Sequence, residues 1–445
     1  MFDFGIIVSR YLFLFLIAAF LYNTIVSMLA EERTVNPDAL RAAVLNSRLI
    51  VLYMHCLGIF ILIYKSRFDL KIIGVSLASL VFLIIYNKFA GTKKPSLINC
   101  VSFLASVGFI VLIRLSPNYA LRQIVFAFAG FAVSLVVPWL IVRLKFSAVY
   151  AVLSGILLVS PLLIGRTVSG ATNWIIFNVH SISLSIQPSE FAKIMYVLYM
   201  AASSKHFKNI KKMNLRQVLK NTNTLLPLIV SAAFILILVL ERDLGGALVF
   251  FVTFLVMFYA ATGSLRVVGF SLLLLCVGGF ASYKIFGHVQ ARVDSWLNPW
   301  ADISDSGYQV TQSLFAIGTW GGMGSGLTRG LPQLIPIAES DFVFSAMCEE
   351  FGVLFGIGVI LVYLAMIHKI FFAPQKDNIA NIGFGAMLAF QAFLIIGGNC
   401  SLLPLTGVTL PFLSYGGSSL VASFIIIGII CITSKTEEES EEVEL

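Results

Sequence analysis

The stretch Ala338–Gly352, AESDFVFSAMCEEFG, places an aspartate, Asp341, where a long polar segment meets an apolar run. An ionisable group at a hydrocarbon boundary is costly, and the usual reason to retain one is function. The chemistry a carboxylate offers there is proton transfer; the alternative is a helix N-cap, a place aspartate often fills. Other polar groups stand at suggestive spacings. In SIQPSEFAKIMYV, Pro188 suits a first helical turn and Glu190 is favourable beside the helix N-terminal dipole. Lys193 follows at i+3 on the same face, so it either presents its charge to an anionic ligand with Glu190 holding it, or pairs with Glu190 merely to seat the helix. In ERDLGG, Glu241, Arg242 and Asp243 occupy a short turn at the surface, and Gly245 and Gly246 permit close approach of a backbone or a head group. Glu349 and Glu350, deeper along, read as buried hydrogen-bond or ion-pair partners.

These residues need elements that cross a membrane. Of 445 residues 59% are hydrophobic and only 12% charged, against about a quarter charged in a soluble domain. The chain is an all-α polytopic membrane protein. Apolar runs near the roughly twenty residues that span a bilayer recur at about 11–29, 48–64, 70–86, 97–115, 120–142, 146–164, 189–204, 224–240, 245–262, 266–286, 342–366, 383–402 and 415–433, thirteen in all. The run Tyr11 to Leu29 reads as a span: it is long for a signal peptide, follows only Asp3 and Arg10, and lacks a small-x-small cleavage site.

From Lys93 onward the basic clusters alternate: Lys93 and Lys94, Arg143 and Lys145, Lys205 through Lys212, Arg266, His368 through Lys376, and Lys435. The positive-inside rule makes these loops cytoplasmic and leaves 165–188, 241–244, 287–341 and 403–414 on the opposite face, where every unusual motif falls. Earlier, Lys65, Arg67 and Lys71 precede the third span while Lys88, Lys93 and Lys94 follow it, so the first ninety residues fit less well. Thirteen spans with the later signal put the N-terminus outside. The net charge of +8 belongs to these loops and points away from nucleic acid. The tail TEEESEEVEL, with six glutamates, reads as disordered in the cytoplasm.

Six scattered cysteines read as packing residues, the five histidines form no ligand constellation, and GxxxxGK[ST] is absent, so neither zinc nor ATP chemistry is suggested. No cofactor is implied with certainty. A divalent cation is open, with Asp294, Asp302 and Asp305 as oxygen donors, although a solvated loop accounts for them equally. The stretch Gly287 to Asp341 is too long for a simple connection. Within it GYQVTQSLFAIGTW, carrying Gln309, reads as an amphipathic helix on the membrane surface, and GGMGSG as a flexible segment. PLTGVTLPFLSYGGSSL, carrying Ser414 and Tyr415, reads as irregular backbone forming a cavity wall.

In this order and spacing, GATNWI, QPSEFAK, DLGGA, LNPWADISDSGYQVTQS, ESDFVF…EEFG and PLTGVTLPFLSYGGSS resemble the signatures of the SEDS family, the RodA and FtsW group. The resemblance covers roughly residues 97–433. It implies a ten-helix core, with three additional transmembrane helices in 1–96, the large extracytoplasmic loop 287–341, and the acidic tail 434–445. It further implies polymerisation of lipid II into glycan strands at the outer face of the cytoplasmic membrane, beside a class B penicillin-binding protein and other division or elongation membrane proteins. The family's essential aspartate falls on Asp341, its lysine on Lys193, its tryptophan on Trp174 and its second aspartate on Asp243. Two departures stand out: Asn173 where the family usually has arginine, and Glu241-Arg242 where it has glutamine-proline.

Glycosyl transfer from a lipid pyrophosphate needs a base for the acceptor hydroxyl and positive charge for the leaving group. Asp341 is the candidate base. Lys193, with Arg292 or Arg329 from the long loop, is the candidate counter-charge. Glu190, Trp174, Asp243, Arg242, Gln309, Ser414 and Tyr415 complete the set expected to contact substrate. Two other classes stay open: a lipid II flippase, against which stands the gathering of polar motifs on one face, and a non-catalytic scaffold for a penicillin-binding protein.

Overall fold

The structure, a computed structural model, describes residues 2–33, 37–90, 94–143, 147–168, 171–179, 182–207, 221–303, 305, 307–372 and 379–433. The acidic tail and the basic residues Lys93, Lys145, Lys208, Lys211, Lys212, Lys376 and Lys435 lie outside them. The chain is a multi-pass membrane protein, because apolar segments of this length satisfy their backbone groups in lipid by coiling into helices. These helices are α1 (Phe2–Arg33), α2 (Pro37–Lys65), α3 (Leu70–Ala90), α4 (Pro95–Leu115), α5 (Pro117–Val142) and α6 (Ser147–Ile164). After a small sheet come α7 (Pro188–Ser203), α8 (Thr222–Leu240), α9 (Leu244–Thr262), α10 (Leu265–Ile285), α11 (Gly287–Leu297) and α12 (Tyr308–Gly318). The last are α13 (Val343–Phe351), α14 (Val353–Phe371), α15 (Ile379–Asn399) and α16 (Gly417–Thr433). Among the described residues eleven helices are long and apolar enough to cross a membrane; with the shorter α7 and α16 they account for all thirteen apolar runs.

The all-α polytopic fold is as expected. One expectation needs correction: the run 342–366 is two helices, α13 and α14, broken at Gly352, whose φ of +92° ends the first. Within this helical plan the loop 165–188 carries a small sheet: β1 (Arg166–Val168), β2 (Ala171–Val179) and β3 (Ile182–Ile186), antiparallel in the order β1-β2-β3.

The chain forms two compact units. The first comprises Met1–Ala132, Ser295–Lys369 and Ala392–Gly416. Its axis is α4, which is buried throughout its apolar length. Small residues let neighbours close on it: a Cβ at Gly58 of α2 would lie 2.7 Å from Ile110, and one at Gly108 would lie 2.8 Å from the Leu413 carbonyl oxygen. Phe13, Phe351, Phe355, Phe103 and Phe20 form a run of ring contacts with centroids 4.5–6.4 Å apart, joining α1, α4, α13 and α14. The second unit comprises Val133–Asp294, Ile370–Gln391 and Gly417–Leu445. There Tyr196 of α7 stacks on Phe250 of α9, with centroids 4.9 Å apart, and meets Phe234 of α8 edge-on.

The long loop belongs largely to the first unit and is built on α12 and α13. Helix α12 buries Val310, Thr311, Ser313 and Ala316 and packs against α13, so this face meets protein and not the membrane surface. The GGMGSG segment is not a free hinge. The amides of Ser325 and Gly326 donate to the carbonyls of Glu349 and Glu350, both at 2.9 Å. A Cβ at Gly324 would fall 2.4 Å from the Gly352 nitrogen, and one at Gly352 would fall 2.2 Å from the Gly322 oxygen. Glycine serves here because both positions have positive φ and no room for a side chain. Gly352→Ala is therefore expected to cost at least the 1–3 kcal/mol of a strained backbone position, read as a lower melting temperature of the detergent-solubilised protein.

Candidate active site

In the first unit Asp341 sits two residues before α13, partly exposed. The N-cap residue of that helix is Phe342, one place further on. The Asp341 carboxylate accepts a hydrogen bond from Ser340 Oγ at 2.9 Å, and its carbonyl accepts one from Asn399 Nδ2 at 2.7 Å. Asn399 Oδ1 in turn accepts from the Ser345 amide at 3.2 Å and from its hydroxyl at 2.9 Å. Ser313 of α12 donates to the Asn399 carbonyl at 2.8 Å and lies 2.6 Å from the Ser345 hydroxyl. Ser414 Oγ donates to the Ser340 carbonyl at 2.6 Å and accepts from the Leu410 amide at 3.0 Å. The Tyr415 amide donates to the Glu339 carbonyl at 2.8 Å. Gln123 of α5 donates to the Ser414 carbonyl at 2.9 Å and accepts from the Gly416 amide at 3.1 Å. Asp341, Ser414 and Tyr415 are thus brought together. Leu410, Phe412, Leu413 and Ser414 are buried, so this part of the irregular stretch is packed in protein.

Behind Asp341, α13 carries two buried carboxylates. Arg114 Nε of α4 donates to Glu350 Oε1 at 2.9 Å, and its Nη2 donates to the Gly330 carbonyl at 3.1 Å. Glu349 Oε1 accepts the Leu331 amide at 2.7 Å. Both glutamates are structural, fastening the loop to the helix. Gln309 lies partly exposed in the first turn of α12, and Arg329 is exposed beyond Gly326.

The remaining candidates lie in the second unit. Glu190 and Lys193 form a buried ion pair at 2.8 Å, their side chains 6% and 4% exposed. Trp174 on β2 is partly exposed and stands opposite Arg166 of β1. Arg242 and, on α11, Arg292 are exposed. The ERDLGG turn is not a uniformly solvated cluster. The Asp243 amide bonds the Leu238 carbonyl and the Arg242 amide the Val239 carbonyl, a Schellman end to α8 with Arg242 in the left-handed place at φ +62°. Arg242 therefore points out, while Glu241 and Asp243 are 0% and 8% exposed. Asp243 caps α9, accepting the Gly246 amide at 2.8 Å. Its Oδ2 also accepts from Asn173 at 3.0 Å and from Gln187 at 3.2 Å. A Cβ at Gly246 would sit 2.8 Å from that carboxylate, so the close approach expected at this glycine pair is made by Asp243.

Comparison with known proteins decides the family. The FtsW/RodA/SpoVE model, described as cell cycle protein, matches residues 95–439. The chain belongs to the FtsW/RodA/SpoVE family. The peptidoglycan glycosyltransferase RodA of Mycobacterium tuberculosis is 32% identical over 374 residues, 77% of this chain and 78% of that one. A probable peptidoglycan glycosyltransferase FtsW of Alcanivorax borkumensis is 33% identical over 328 residues, 70% of this chain and 82% of that one. Among solved structures, a chain of a peptidoglycan synthase complex that coordinates polymerization and crosslinking is 26% identical with a TM-score of 0.63, matching 78% of this chain and 98% of its own. The rod shape-determining protein RodA of Thermus thermophilus is 25% identical with a TM-score of 0.52, matching 77% and 97%.

Within this FtsW/RodA/SpoVE chain, sequence reading missed Asn399, Ser345, Gln123 and Arg114. A signal existed for Gln123 and Arg114, polar residues inside apolar runs; Asn399 and Ser345 look like helix-end residues. No group of three or more His, Cys, Asp or Glu side chains converges among the described residues. Asp302 instead bonds the Asp305 amide at 3.2 Å.

Glu241 has an unusual environment. Neither carboxylate oxygen has a hydrogen-bond partner among the described residues, and burial, then the Asp243 charge, raises its pKa from an ordinary 4.5 to about 8. The folded state thus holds a proton that the unfolded state releases above pH 4.5. Stability should fall as pH rises through that window, at up to about 1.4 kcal/mol per pH unit, and flatten above pH 8. Glu241→Gln removes the titration. Its melting temperature should exceed that of the wild type at pH 8 and match it near pH 4; equal pH profiles would refute the assignment.

Proposed function

We propose that this protein is a peptidoglycan glycosyltransferase that polymerises lipid II into glycan strands at the outer face of the cytoplasmic membrane, together with a class B penicillin-binding protein. The reading is supported by family membership and by relatives named for that activity. The observation that carries it within this chain is the placement of Asp341: a partly exposed carboxylate just before α13, on a backbone fixed from both sides by Asn399 and Ser414. That arrangement suits a group whose task is to meet a substrate.

Asp341 takes the proton of the acceptor sugar hydroxyl as its oxygen attacks the donor anomeric carbon. The bond from that carbon to the lipid pyrophosphate breaks, and the electron pair leaves on the pyrophosphate. The exposed guanidinium groups Arg242, Arg292 and Arg329 are the cations suited to that leaving group, because guanidinium contacts phosphate in a bidentate fork. Lys193, closed onto Glu190 in a buried pair, serves first to seat the start of α7. Gln309, Trp174 and Tyr415 are partly exposed and remain available to the sugar or lipid; Asp243 and Ser414 are committed to holding backbone. A divalent cation assisting the pyrophosphate is tested by chelation in the same assay.

Glycan-strand formation from purified lipid II, with and without the class B penicillin-binding protein, tests the proposal. Wild type should polymerise and Asp341→Asn should fall by at least about a hundredfold, the usual worth of a general base. No polymer from folded wild type with its partner would transfer the reading to translocation or scaffolding.

The ion pair has a separate test. Lys193→Met leaves Glu190 buried without a counter-charge, an expected loss of about 3–5 kcal/mol. The neutral double variant Glu190→Gln/Lys193→Met should regain most of that stability. Polymerisation returning with stability assigns the pair to structure; a stable double variant without activity would assign Lys193 to substrate.

A further inference from the structure

Residues 1–94 precede the family match, yet their helices are fastened to α4 by polar side chains. Ser96 donates to Ser27 of α1 at 3.0 Å. Asn99 donates to the Val44 carbonyl of α2 at 3.0 Å and accepts from Arg48 at 3.3 Å. Ser102 donates to Asn87 of α3 at 2.8 Å. His55 of α2 bridges Ser106 of α4 at 3.1 Å and Ser79 of α3 at 2.9 Å. Ser96, Asn99, Ser102 and Ser106 recur at helical spacing, so one stripe of α4 binds all three added helices. Polar partners buried between apolar helices fix register as well as proximity.

With its register fixed, α1 bears on the loop that follows α12. Arg10 Nη1 donates to the Gly324 carbonyl at 3.1 Å. Ile6 lies 3.2 Å from where a Cβ would stand on Gly326. Phe13 meets Phe351 of α13 edge-on with centroids 4.9 Å apart. Between Gly324 and Gly326, Ser325 bonds the Glu349 carbonyl through both its amide and its hydroxyl, and the Gly326 amide bonds the Glu350 carbonyl. Asp341 stands two residues before the helix so gripped. A continuous line of contacts thus runs from α1 through 324–326 and α13 to Asp341.

We propose that the added N-terminal helices are a strut for the catalytic loop, with Arg10 as a positioning residue for the polymerase reaction. The inference rests on the reading of Asp341 as the base. Arg10 touches no substrate; its charge-assisted bond to the Gly324 carbonyl holds the loop in the geometry Asp341 needs. Loss of that bond misplaces the base without removing substrate contacts, so turnover suffers and substrate affinity does not.

The experiment uses the full-length chain with its class B penicillin-binding protein and purified lipid II. It compares wild type, Arg10→Gln, Arg10→Lys and Asp341→Asn, with amide hydrogen exchange recorded in parallel. Arg10→Gln should lower kcat about tenfold with KM within about twofold, keep the wild-type melting temperature, and speed exchange at Ser325 and Gly326. Arg10→Lys, which keeps a charged donor, should restore most of the turnover. Wild-type kcat and exchange in Arg10→Gln beside an inactive Asp341→Asn would overturn the strut alone. An active Asp341→Asn would overturn the reading of the base and the strut with it. Should Arg10→Gln fail to fold, Ile6→Ala tests the same contact, and unaltered protection at Ser325 and Gly326 would overturn the proposal.

Discussion

The carboxamide of Asn399 is the joint on which the Asp341 site depends. It donates to the Asp341 carbonyl and accepts from the Ser345 amide and hydroxyl, while Ser313 bonds its own carbonyl. One residue therefore fixes the end of α15, the start of α13 and the inner face of α12. A carboxamide presents a donor and an acceptor on two separate atoms; aspartate would lose the donor and leucine both. Asn399 and Ser345 are fully buried, where an unmade hydrogen bond costs the full desolvation of the stranded group. The backbone around Asp341 is consequently held from behind, and its carboxylate is left partly exposed in front.

Much of this was legible in the sequence because membrane burial leaves coarse marks. All thirteen apolar runs became helices, since a backbone in hydrocarbon has few other choices. Asp341 was conspicuous because a carboxylate at an apolar boundary is rare. The sheet was less visible: SISLSI alternates as a strand should, but so brief a signal inside a loop competes poorly with the turns around it. GGMGSG misled for another reason. Glycine marks both freedom and close packing, and only the neighbours at Gly324 and Gly352 reveal that here it marks the second.

Buried charge sets the limit of what spacing can show. Glu190 and Lys193 are three residues apart, so helix geometry alone announces their pairing. Arg114 and Glu350 lie 236 residues apart, and nothing local in the sequence joins them. Yet the distant pair does more to shape the site, because Arg114 also takes the Gly330 carbonyl and so ties the loop to α13. Long-range ion pairs of this kind become visible only once the helices that carry them are placed.

The ERDLGG turn shows how backbone direction divides three adjacent charges. A left-handed Arg242 closes α8, and that conformation turns its side chain out while the residues on either side turn in. The two inward carboxylates then meet unequal surroundings. Asp243 receives donors from Asn173, Gln187 and Gly246. Glu241 receives none among the described residues and lies at the C-terminal end of α8, where the helix dipole opposes negative charge. Burial first, and the neighbouring carboxylate second, therefore push the Glu241 pKa up. Asn173, one of the departures that the sequence shows from the family's usual pattern, meets this turn as a neutral amide, donating to Asp243 without adding a cation.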